Sequence, residues 1–250
     1  MQLLAAVATL AFVVISALVG VRLLLLARRS GAVPELALGL AFFLVGALGY
    51  PLGLLSVAPG LPEPAARALF ALSQLATGVG SAAVFVFTRG VFRPDAAWAR
   101  WLVRVAALVL ALQTAFGVAR AIEADATQFA TPDFGFSLRQ AVTAFSYAWT
   151  ALEAFRYRAL LVRRLAFGLA EIEVVNRFLL WAIAGIGAFA GSFTMSAVSL
   201  GGALPWEDPL ALSAVGLGGL VAALCTALAF TPPRAYLAWV RARFEARATR

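Results

Sequence analysis

Residues 105–152 read VAALVLALQTAFGVARAIEADATQFATPDFGFSLRQAVTAFSYAWTAL, and whether this stretch crosses a membrane twice decides the fold. It holds two apolar runs, 105–119 between Arg104 and Arg120, and 140–152 between Arg139 and Glu153. Each falls short of the roughly 20 residues that span about 30 Å of hydrocarbon. Both become long enough if the flanking arginines snorkel to the headgroups. The loop between them, 122–136, carries Glu123, Asp125 and Asp133, while the segments beyond the two runs are rich in arginine. A chain that crossed five times would place this acidic loop beside the arginines. Crossing as a pair puts it on the opposite side, and the loop charge favours the pair.

Five further apolar runs lie outward from this stretch, at 3–21, 36–58, 68–88, 178–206 and 209–231. Seven spans result, and the arginines of their connections alternate. Arg28 and Arg29 follow the first, Arg89, Arg93 and Arg100 the third, Arg156, Arg158, Arg163 and Arg164 the fifth, and Arg234, Arg241, Arg243, Arg247 and Arg250 the seventh. The other connections hold Arg67, Arg120 and Arg139 against Glu63, Glu123, Asp125, Asp133, Glu207 and Asp208. Positive charge stays on the cytoplasmic side. The expectation is an all-α integral membrane seven-helix bundle, N-terminus outside and C-terminus cytoplasmic, in a bacterial inner membrane. Residues 1–231 form the bundle and 232–250 a cytoplasmic amphipathic helix. The first run lacks a basic n-region and a small-residue cleavage site, so it reads as a retained span.

The formal charge of +8 comes from juxtamembrane arginines. Topology and anionic lipid account for it without nucleic acid. After Pro232-Pro233, Tyr236, Leu237, Val240 and Phe244 alternate with Arg234, Arg241 and Arg247, a pattern for a helix lying in the membrane plane or docking a cytoplasmic protein. The aromatic loop 122–136 reads as a lid or as a headgroup-level segment.

The chain has no histidine, no lysine and one cysteine, Cys225. Axial-histidine haem, histidine-bound zinc, a retinal Schiff base, a serine-histidine pair and thiol-disulfide exchange each lack an essential residue. No catalytic residue, metal or cofactor is expected. Uncharged polar residues gather instead on the third to sixth spans. Gln140, Thr143, Tyr147 and Thr150 share one face by three- and four-residue spacing, as do Ser73, Thr77 and Ser81. With Tyr50, Gln74, Gln113, Trp149, Ser192 and Ser196 they are candidates to line an outer-half ligand pocket. The same groups also suit interhelical hydrogen bonding. Glu153, an acid about one turn inside the inner end of the fifth span, needs a partner. Arg177 at similar depth on the sixth is the expected one, giving an ionic switch or a fixed clamp. Pro51 should kink the second span and free a carbonyl.

The stretches EAFRYRALLVRRLAFGLAEIEVVNRFLLW and FTRGVFRPDAAWARW resemble segments of uncharacterised bacterial seven-helix membrane proteins. The overall plan resembles the seven-helix sensor regions that precede bacterial histidine kinases. That resemblance implies a receptor-like sensor that binds a small molecule or lipid and passes its signal to a separate cytoplasmic protein. The competing readings are a small transporter or channel subunit, which needs a polar path through the inner half, and a structural assembly subunit.

Overall fold

In a computed structural model, residues 2–58, 60–123, 134–205 and 207–248 are described, and among them the chain is helical without strands. The helices are α1 (Gln2–Ser30), α2 (Val33–Ser56), α3 (Glu63–Phe92), α4 (Ala97–Glu123), α5 (Phe134–Leu165), α6 (Ile172–Leu200), α7 (Pro209–Phe230) and α8 (Arg234–Ala248). Six of them, α1 to α4 with α6 and α7, are long and apolar enough to cross a membrane. Helix α5 has the length, at 32 residues, but Arg139, Glu153, Arg156 and Arg158 interrupt its apolar surface. The acidic stretch 124–133, with the expected lid, lies outside the described residues.

Local chemistry sets the ends. Pro34, Pro64 and Pro209 sit in first turns, where a missing N–H costs nothing. The Asp208 side chain accepts the Ala211 N–H at 2.8 Å and caps α7. Gly168 adopts φ +69° just past α5, a conformation that a side chain would oppose, and ends the arginine-rich extension of that helix. Pro51 does not break α2. Residues Phe42–Gly49 widen into π-helix, with the Tyr50 N–H reaching the Val45 carbonyl, and this wider turn carries the helix past the proline. A carbonyl next to this turn, that of Gly49, accepts the Ser73 hydroxyl of α3 at 2.7 Å.

Helices α1, α2, α3, α5, α6 and α7 contact one another in sequence and α7 closes onto α1, while α4 lies against α3 and α5. The composition of inside and outside is inverted relative to a water-soluble core. Alanine, glycine, serine and threonine fill the interior, and residues such as Leu10, Leu18, Leu72, Leu108, Phe116, Phe193 and Leu224 are exposed. Small residues let helices approach closely where lipid supplies no hydrophobic drive between them, as in a multi-pass membrane bundle.

The four arginine-bearing ends come together at one end of the bundle. Phe42 packs edge-on against Phe230, Arg93 of the α3–α4 turn meets Glu153, and Arg22 donates to the Phe230 carbonyl at 2.9 Å. Helix α8 docks there on α6, where Asn176 donates to the Tyr236 hydroxyl at 2.9 Å and Arg241 pairs with Glu173. At the opposite end Arg67 donates to the Ile122 carbonyl at 2.8 Å, and Ser137 pairs with Ser199 at 2.8 Å.

Candidate functional site

Helices α3 and α5 are separated by one antiparallel helix and so run parallel, in a fixed register. Thr143 donates to Ser81 at 3.1 Å, and seven residues further along both helices Thr150 and Thr88 pair at 2.6 Å. Seven residues are two helical turns, so both pairs lie on one seam. Thr88 was absent from the sequence candidates, although its seven-residue spacing from Ser81 matches that of Thr143 and Thr150. Thr150 belongs near the arginine-rich end and not in the outer half, because its partner Thr88 is one turn from the end of α3.

The other candidates are also engaged in packing. Ser73 bonds α2, Thr77 returns its hydroxyl to the Ser73 carbonyl at 2.7 Å, and Ser196 donates to the Ser137 carbonyl at 2.9 Å. Gln74 lies against Gly117, where a Cβ would stand 2.9 Å from the amide oxygen. Tyr50 meets Phe12 edge-on, with ring centroids 6.4 Å apart, and Tyr147 packs on Ala41, Ala83 and Val84. Gln113, Gln140 and Ser192 are half-buried. The structure thus distributes these residues over several helix contacts. Loss of one such hydroxyl, as in Thr143→Val, should cost only about 0.6 kcal/mol in a mixed-micelle unfolding titration. A loss several times larger would assign Thr143 a role beyond its bond to Ser81.

Glu153 is where charge and burial coincide. Its residue is 3% exposed, and Oε1 accepts Arg93 Nε at 2.9 Å, Trp149 Nε1 at 3.3 Å and Arg156 Nη1 at 3.3 Å. The arginines are less enclosed, with side chains 38% and 64% exposed. The hydrogen bond from Arg93 and then the charge of Glu153 raise the Arg93 pKa, holding it firmly protonated. The expected partner, Arg177, is replaced by Arg93. The reason is helix phase: α6 docks on the face of α5 that carries the Tyr147 carbonyl and Ala151, both about 3 Å from where a Gly185 Cβ would stand. Glu153 is two residues past Ala151, about 200° around the helix, and faces α3. Arg177 is exposed and borders a crevice of about 20 Å³ with Asn176, Glu173 and Leu237.

Aromatic rings surround this cluster. Trp149 touches Trp98 and Phe85 with centroids 5.8 and 6.1 Å apart. A second file, Phe42, Phe230, Trp181, Phe178, Tyr157 and Phe92, crosses the arginine-rich end from α2 to α3 with successive centroids 4.7 to 6.3 Å apart. A cavity of about 280 Å³ opens between α4 and α5 on a floor of Phe85, lined by Leu102, Val105, Ala106, Val109, Ala141, Val142 and Phe145. Among the described residues no three acidic or cysteine side chains converge as metal ligands would. No family model, curated protein or solved structure matches the chain.

Proposed function

We propose that the chain is a seven-span, receptor-like protein of the bacterial cytoplasmic membrane, with its N-terminus outside, that binds a small ligand and signals to a separate cytoplasmic protein. Gathering of the arginines at one end supports the orientation. The embedding of α5 between α3, α4 and α6 supports counting it as a span despite its charges. The observation that carries the sensor reading is the Glu153 cluster. A buried carboxylate on α5 is held by guanidiniums exposed enough for a second anion to compete for them, so the tie between α3 and α5 has two arrangements open to it. The hydroxyl rows bond each other, so the ligand seat moves to the α4–α5 groove, whose wall Phe85 touches Trp149, the indole that donates to Glu153. A transport path is disfavoured, because the inner end is filled by aromatic rings where a path needs polar groups.

Labelling of an introduced cysteine tests the proposal. In a Cys225→Ser background, Phe167→Cys places a thiol in the exposed α5–α6 turn, and Pro62→Cys places one at the start of α3. An impermeant maleimide should reach Pro62→Cys in spheroplasts and Phe167→Cys only after the membrane is opened. Adding Glu153→Gln should then change the labelling rate of Phe167→Cys by about threefold or more, as a shifted two-state equilibrium does. An unchanged rate in a folded variant makes Glu153 a fixed clamp and removes the sensor reading. Labelling of Phe167→Cys in intact spheroplasts would reverse the orientation.

A further inference from the structure

We infer that the groove between α4 and α5 is a binding site for one anionic glycerophospholipid of the arginine-side leaflet, with an acyl chain along the groove and the phosphate at Arg93 and Arg156. This deepens the proposed function by naming the occupant of its ligand seat, and takes from that reading the assignment of the leaflet as cytoplasmic. The two helix faces that line the groove continue beyond it toward the cluster. On α5, Val142, Phe145, Trp149, Leu152 and Arg156 succeed one another at three- and four-residue spacing and therefore share a face. On α4, Trp98, Leu102, Val105 and Val109 do the same. Phe145 and Val105 are about half exposed and the lining carries no charged side chain, so hydrocarbon and not water is the medium that fills it.

Depth and charge select the occupant. From Phe145 to Arg156 is eleven residues, about 16 Å along the axis, close to half of the roughly 30 Å hydrocarbon core. The groove and the cluster therefore lie one leaflet apart, and an acyl chain seated in the groove reaches the cluster over the outer side of the Trp98–Trp149 contact, along the exposed Trp98 and Leu152. There Arg93 and Arg156 share a single carboxylate, Glu153, so the cluster retains one surplus positive charge. Around it, Arg89 and Arg100 outnumber the exposed Asp95. Trp98 is half exposed at the same level, where an indole sits well between acyl chain and headgroup. A phosphate can take donors from the partly exposed guanidiniums without entering the bundle. A zwitterionic lipid brings its own cation to a site that already has one in excess.

Native mass spectrometry of the protein in nanodiscs of phosphatidylglycerol and phosphatidylcholine tests the site. One phosphatidylglycerol should stay bound after release from the disc, retained at least five times more than phosphatidylcholine. Val105→Trp and Ala141→Phe, at exposed groove positions, should abolish retention without changing the unfolding midpoint. Arg156→Gln should remove the headgroup preference while leaving some lipid bound. Equal retention of the two lipids, no retained lipid, or retention untouched by both groove-filling variants would each overturn the proposal. The readout is mass and not labelling rate, so the lipid site and the Glu153 switch can fail independently.

Discussion

Arg93→Leu should destabilise the bundle more than Glu153→Gln, although both break the same ion pair. The two partners are buried unequally, with Glu153 nearly enclosed and the Arg93 side chain 38% exposed. Removing the arginine leaves a buried carboxylate with the Trp149 indole and the largely exposed Arg156 as its remaining donors. Uncompensated buried charge costs about 3 kcal/mol or more. Glutamine at 153 removes the charge, keeps a carbonyl acceptor, and leaves two guanidiniums that water can reach, so its cost should stay near 1 kcal/mol. The double variant Arg93→Leu with Glu153→Leu should recover most of the loss, since apolar side chains of similar volume replace such pairs well. Unfolding in mixed micelles, followed by the fluorescence of Trp149 and Trp98, reads all three. The reverse order of the single variants would mean that the carboxylate is hydrated and that the Glu153 cluster does not form.

The helices were legible because membrane crossing imposes length and apolarity on each one separately, and charge-free runs such as 178–206 need no knowledge of neighbours. Helix α5 was legible by a different route. Its apolar surface is interrupted, and the alternation of arginines with the acidic 122–136 stretch located it. Contacts between helices depend on phase around each axis, which depth alone does not give. Arg177 and Arg93 are both plausible partners for Glu153 by depth, and only the docking of Gly185 on Ala151 turns Glu153 away from α6. Pro51 shows the same limit locally. The missing N–H was plain, but a sharp kink and a π-helical turn both answer it, and the Ser73 bond to the Gly49 carbonyl accompanies the second. The matched seven-residue intervals of Ser81 with Thr88 and Thr143 with Thr150 were a readable signal for the parallel α3–α5 seam. They became meaningful once the two helices were known to touch.

Gly218→Ala and Gly219→Ala, one residue apart on α7, should have opposite effects. A Cβ on Gly187 would stand 2.5 Å from the Gly218 carbonyl oxygen, and one on Gly218 would come closer still to the carbonyl of Gly187. Both obstacles are helix backbone, which cannot rotate aside as a side chain does. The α6–α7 contact therefore has to separate along its length, including at Gly191, where a Cβ would lie 3.3 Å from Val215 Cα. Overpacking of this kind costs about 1–3 kcal/mol, and the rigid partner places Gly218→Ala at the upper end. Gly219 points to open space, with nothing within 4 Å of its Cβ position. Alanine there adds helix propensity worth up to about 1 kcal/mol in a helix interior and meets no wall. Mixed-micelle unfolding should place Gly218→Ala well below the parent chain and Gly219→Ala at or above it. Equal effects would show that α6 and α7 do not meet through these glycines. Because α6 also carries Gly185 against α5, loosening it by Gly218→Ala should speed maleimide labelling of Phe167→Cys as well. Gly219→Ala should leave that rate where it was, which separates a general change in α7 from loss of the close contact.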